Sequence, residues 1–177
     1  MWRAPGDTTV TFTAIGGSTN TALANSDLSA DVVNHAGVIE LGADVRRLVF
    51  TGADVSAGSA LFAWHPNDLW RLEARYTYSL TSFKATGQSS GDNSVLLREI
   101  WQAWRRAALQ GSYAQGIESF EDLTSDRLGA LSATTVAGGL RVDLPSLTRI
   151  TATWEYQWRS NDTRINRITV SMVQFIR

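Results

Sequence analysis

The chain contains no cysteine. That excludes disulfides and thiolate metal sites and is compatible with an oxidising compartment. Lysine is almost missing too: Lys84 stands alone, so positive charge is carried by arginine. The net charge is -1 with a pI near 6.1, so there is no basic footprint for nucleic acid. No run of about 18 apolar residues occurs, which excludes a transmembrane helix. The opening "MWRAPGDTTV" has neither a basic n-region nor an apolar h-region. It is not a signal peptide, and the expectation is either a cytoplasmic protein or a mature or truncated form. There is no glycine-rich phosphate cradle, zinc spacing or coiled-coil heptad. Without internal repeats, low-complexity segments or a linker, residues 1–177 read as one domain.

What the sequence does have is a period of two. In "DLWRLEARYTYSLTSF" (68–83), Trp70, Leu72, Ala74, Tyr76, Tyr78 and Leu80 alternate with Arg71, Glu73, Arg75, Thr77, Ser79 and Thr81. In "RITATWEYQWR", Ile150, Ala152, Trp154, Tyr156 and Trp158 alternate with Arg149, Thr151, Thr153, Glu155, Gln157 and Arg159. Leu109, Tyr113 and Ile117 oppose Arg106, Gln110, Ser112 and Glu118; Val136, Leu140 and Val142 oppose Thr135, Arg141 and Asp143. Strict alternation with many β-branched residues predicts strands. Residues 93–103 break phase, and 31–65 holds several strands that the pattern does not separate.

The connections alternate in length. "HPND" (65–68), "AWRR" (103–106) and "LPSLT" (144–148) are short; "KATGQSSGDN" (84–93) and "EDLTSDRLGALSA" (121–133) are long and read as outer loops. This predicts an up-and-down antiparallel meander. Trp64, Trp70, Trp101 and Trp104 gather at short turns, and Phe83 and Phe120 stand where strands meet long loops. With Tyr76, Tyr78, Trp154, Tyr156 and Trp158 they form two aromatic belts, as at the two interfaces of an outer-membrane barrel. Strands of about 10–15 residues exceed the usual globular length and suffice to cross a bilayer. A mean hydropathy of -0.12 is no obstacle, because alternation hides a lipid face. The fold expected is therefore all-β: an antiparallel up-and-down transmembrane β-barrel of about 8–10 strands.

Residues 111–130, "GSYAQGIESFEDLTSDRLGA", followed by "TTVAGGLRVDLPSLTRITATWEYQWRSNDT", resemble the C-terminal half of the YaiO family of outer-membrane β-barrels. The resemblance covers roughly residues 68–177. It implies a Gram-negative outer-membrane location and no catalytic residues. Members of that family carry a signal peptide and have longer barrels, so further strands at the N-terminus are expected.

The barrel reading points Arg71, Glu73, Arg75, Arg106, Glu118, Arg141, Arg149, Glu155 and Arg159 into the lumen. Unpaired buried arginines are costly, so most are expected to pair with neighbouring glutamates. The result is either an ion-paired, closed interior or a narrow, arginine-lined, anion-leaning pore. No cofactor, metal site or catalytic residue is expected. His35 and His65 are the only histidines, and nothing in the spacing joins them to Ser56, Ser59 or another serine as nucleophile and base. Glu118, Glu121, Asp122 and Asp126 make an acidic loop without a calcium-loop pattern. The partners expected are outer-membrane lipid, including lipopolysaccharide, and the barrel-assembly machinery, with no nucleic acid. Two alternatives stay open: a soluble β-barrel holding a small apolar ligand, with the faces inverted, and a lipid-modifying outer-membrane enzyme.

Overall fold

A computed structural model of the protein describes residues 2–3, 7–16, 24–117, 132–144, 148–160 and 162–174. A two-residue strand, β1 (Trp2–Arg3), precedes ten long ones. These are β2 (Thr8–Gly16), β3 (Ser26–Ala36), β4 (Ile39–Val49), β5 (Ala53–Asn67), β6 (Trp70–Phe83), β7 (Ser89–Trp104), β8 (Ala107–Ile117), β9 (Ser132–Asp143), β10 (Thr148–Arg159) and β11 (Arg164–Gln174). All lie in one sheet in chain order, each antiparallel to the next. Among the described residues, no pairing joins β11 to β1 or β2.

The ambiguous stretch 31–65 resolves into β3, β4 and β5, separated by very tight turns. Gly37–Val38 links the first two, with Gly37 at φ 62°. Glycine at the first turn position matches a hairpin whose twist suits the strands. Phe50 N–H then donates to the Ala53 carbonyl at 2.8 Å to close the next turn. The expected loop 84–93 is shorter than its composition suggests: β7 begins at Ser89, leaving 84–88 as the connection. Likewise "HPND" is largely strand, and the turn there is Asp68–Leu69. Residues 93–103 belong to one 16-residue strand whose burial alternates along nearly its whole length. Its phase looked broken because Leu96 and Ile100 take the buried side and Glu99 the exposed one.

A flat single-layer sheet would expose both faces equally. Here Glu73, Thr77, Ser79, Thr81 and Gln157 are buried, while Leu72, Tyr76, Tyr78, Leu80, Leu97, Trp154 and Trp158 are exposed. Crowding of one face against itself requires curvature, with the polar side inward. The apolar interior is small. Leu48, Phe50 and Val55 form one buried cluster joined by Ala24, and Phe50 and Val55 are the only large side chains under 2% exposed among the described residues. At the two sheet margins both faces open: Phe12–Gly16 of β2 and Ile168–Gln174 of β11 are exposed on every residue.

Candidate functional site: the inward charged face

The inward register is set by strand pairing. Glu40 lies opposite Ala63, and Ala63 opposite Glu73, which faces Arg98 on β7. Arg71, Glu73, Arg75, Arg141, Arg149, Glu155 and Arg159 all sit on this face, by register and partial or full burial. Arg106 does not: it is an exposed residue of the Arg105–Arg106 turn, because β7 runs on through Trp104 and leaves only two residues to turn. Glu118, Glu121, Asp122, Asp126 and Phe120 lie outside the described residues. Phe83 is inward in register, opposite Ala53, and takes no place in an outer aromatic belt.

The arginines are paired, but mainly with carboxylates the sequence pattern did not single out. Glu40 is the hub. Its Oε1 lies 2.8 Å from His65 Nε2 and 3.2 Å from His35 Nδ1, and its Oε2 accepts from Arg71 Nη2 at 2.8 Å. Arg71 also reaches Glu73 at 3.2 Å. Arg46 grips Asp27 through two bonds, Nε–Oδ1 at 2.9 Å and Nη2–Oδ2 at 2.7 Å; this fork geometry is the strong form of the pair. At the strand ends nearer the short turns, Arg149 Nε donates to Asp143 at 2.6 Å, and Arg141 donates to Gln102 at 3.0 Å.

The middle of the face is looser. Arg75 reaches Asp44 only at 3.8 Å, while Asp44 accepts from Ser59 at 3.2 Å and Thr77 donates to Ser59 at 2.9 Å. The Arg75 Nε has no acceptor among the described residues. Arg98, opposite Glu73 and Ser112, makes no ion pair among them either. Together Arg46, Arg75 and Arg98, with Asp44, Glu155 and several serines and threonines, line a hollow of about 370 Å³. Charge is also segregated sideways. β3 and β4 contribute Asp27, Asp31, Glu40 and Asp44 against one arginine, Arg46. From β6 onward come Arg71, Arg75, Arg98, Arg141, Arg149, Arg159 and Arg167, with Glu73, Asp92, Asp143 and Glu155 between them.

The outward face is aromatic. Trp70 stacks on Trp101 with ring centroids 5.4 Å apart, and Trp64 and Trp104 are exposed beside them, near the short turns. Trp154, Tyr156 and Trp158 form a second group: the first pair is stacked at 6.3 Å and the second meets edge to face at 4.5 Å. Tyr76 and Tyr78 lie on the same side, and the Tyr76 hydroxyl bonds the Asn93 side chain. Sequence reasoning missed Asp27, His35, Glu40, Asp44, Arg46, His65 and Arg98 as members of the charged face. The signal was present in the alternation of Asp27, Ser29 and Asp31 with Leu28, Ala30 and Val32, once the Gly37 turn is allowed for.

The chain matches no protein-family model and no curated protein. Its fold is similar to that of the anion-selective porin from Comamonas acidovorans, at a TM-score of 0.64 and 11% identity, over 97% of this chain and 52% of that one. The chain thus spans about half the length of the porin it matches. The likeness is one of fold, an all-β, antiparallel, up-and-down porin-like barrel.

Proposed function

We propose that this chain forms the charged wall of an outer-membrane barrel that passes small hydrophilic solutes, favouring anions where Arg75 and Arg98 line it. One observation carries the reading: along the strands Glu73, Thr77, Ser79, Thr81 and Gln157 are buried while most of the large apolar residues are exposed, and the buried apolar cluster is small. A soluble barrel around an apolar ligand needs the opposite exposures. The porin-like fold supports the outer-membrane location; membership of the YaiO family, expected from residues 68–177, is part of this proposal and has no matching family model behind it. Arg75 and Arg98, poorly matched by carboxylates, supply a local positive field. An enzyme built on Ser–His chemistry lacks support, since no serine hydroxyl hydrogen-bonds either histidine among the described residues; the side-chain partner of both is Glu40. Outer-membrane lipid and the assembly machinery are the partners this reading entails.

The test begins with refolding in detergent and electrophoresis with and without boiling; a band that shifts on boiling marks a folded barrel. Conductance in a planar bilayer under a salt gradient follows. An anion-selective reversal potential is expected, and Arg75→Glu with Arg98→Glu should move it toward cations. A folded barrel without conductance favours the second reading, a wall held shut by ion pairs, for which the three-partner Glu40 hub and the Arg46–Asp27 fork speak.

A further inference from the structure

The two margins of the sheet are open ladders. Among the described residues, β11 pairs only with β10, and the outer edge of β2 is met only by β1, at Thr9 and Val10. Residues 11–16 have no ladder partner on that edge among them. Hydrocarbon does not tolerate an unpaired strand edge, because no water meets its N–H and C=O groups. The outward side chains point the same way. Phe12 on β2 and Ile168 on β11 are each 76% exposed, against 50% for Tyr76 and 44% for Trp154, which lie between two neighbouring strands.

Three features say what covers these margins. The first is direction. An odd number of antiparallel steps separates β2 from β11, so the two run oppositely. β11 of one copy therefore meets β2 of another in the antiparallel sense. The second is girth. The sheet superposes over 97% of this chain on 52% of a porin. A barrel's diameter grows with its strand number, so a sheet curved like half of a porin wall keeps its own margins apart, and two such sheets complete the girth. The third is charge. Asp31 on β3 lies opposite Asp44 on β4 and Thr11 on β2, and it makes no ion pair among the described residues. Two carboxylates side by side favour a cation arriving from the β2 side. At the other margin Arg167 is inward, opposite Glu155. Joining β11 of one copy to β2 of the next sets Arg167 two strands from Asp31, the spacing that Arg71 bridges to Glu40.

We propose that the open margins are a dimer interface: β11 of each copy pairs with β2 of the other, and two copies close one barrel around a two-fold axis that is the barrel axis. The partner is a second copy of this chain. The inference rests on the outer-membrane reading proposed above and adds to it an assembly.

The test uses the full chain refolded in detergent and checked by its shift on boiling. Native mass spectrometry should give a species of twice the 19.4 kDa chain. Because the chain lacks cysteine, introduced thiols report the seam alone. Thr13 and Thr169 are inward on the two margins. Thr13→Cys chains mixed with Thr169→Cys chains should be joined by a short bis-maleimide, and Thr13→Cys chains alone should not. Asp31→Arg and Arg167→Glu should each weaken the dimer about tenfold as single preparations, by setting like charges across both seams. Mixed one to one they should restore it, since both seams are then complementary. A boil-sensitive monomer overturns the proposal, above all one whose Thr13→Cys, Thr169→Cys double variant is joined within a single chain. So does a mixture that fails to restore the dimer. A chain insoluble in water that gives no boil-sensitive form in detergent also overturns it, because its margins then need strands other than a second copy's; the membrane reading survives that result. A chain folded and soluble without detergent defeats the membrane reading itself, before any cross-linking.

Discussion

Along β6, Glu73, Thr77, Ser79 and Thr81 are 3–8% exposed, while Leu72, Tyr76, Tyr78 and Leu80, one residue away in each case, are 36–50% exposed. One backbone thus presents two surfaces with opposite solvent requirements. The inner one is held by ion pairs and hydroxyl bonds, such as Thr77 to Ser59. The outer one is held, among the described residues, by ring stacking, as between Trp70 and Trp101, and by scattered polar contacts such as Tyr76 to Asn93. The difference teaches where the missing apolar contact must come from. On the outer-membrane reading proposed above, lipid supplies that contact, and stability becomes a property of chain and lipid together.

Adjacent residues on β6 test this contrast most severely. Tyr76→Arg places a charge on the outer face and should cost about 2–4 kcal/mol, or prevent refolding in detergent altogether. Thr77→Arg adds the same charge inward, beside the hollow that Asp44 and Glu155 line, and should cost less than Tyr76→Arg. Urea titration of the folded, boil-sensitive species compares them; equal losses would mean the two faces do not differ in solvent.

The two faces should also answer differently to an added methyl group. Gly116 looks inward at φ 133°, and a Cβ there would lie 2.4 Å from the Asn93 carbonyl and 2.5 Å from Ser94 Cα. Gly116→Ala should cost about 1–3 kcal/mol, since neither backbone can yield. Gly91→Ala meets only the tip of Tyr78, which can swing away; the loss should stay below about 0.5 kcal/mol. Between them falls Glu40→Ala. Its partners His35, Arg71 and His65 have side chains 32–43% exposed, so the loss should be about 1–2 kcal/mol, below that of a fully buried pair. A neutral Glu40→Ala in the same titration would show that the inner wall is solvated rather than sealed.

Much of the fold was legible in the sequence where one face is uniformly apolar, as in Trp70–Leu80 and Ile150–Trp158. It failed where side chains trade faces. Leu96 and Ile100 turn inward on β7 and Glu99 outward, so counting hydrophobic residues lost the phase of a strand that is regular in space. It failed also at turns of two or three residues, too short to register as loops between β3, β4 and β5. For the charged face, Arg71, Arg75, Arg141, Arg149 and Arg159 were readable because each sits in a clean alternation, while Arg46 and Arg98, in the stretches without a clear phase, were not. Their partners were not, because ion pairs cross between strands: Arg71 meets Glu40 at a separation of 31 residues, which no local pattern encodes. The same limit explains Arg106, whose parity with Gln110 and Ser112 was right and whose strand ended before it.

Because the sheet follows chain order, every strand pairs only with the strands before and after it, and every backbone register is settled within a hairpin, while ion pairs such as Arg71–Glu40 reach one strand further. An added or deleted hairpin leaves the remaining registers, and the inward and outward sense of every other residue, as they were. The girth of such a wall is then a quantity that gene duplication can change two strands at a time, without redesigning the strands already there.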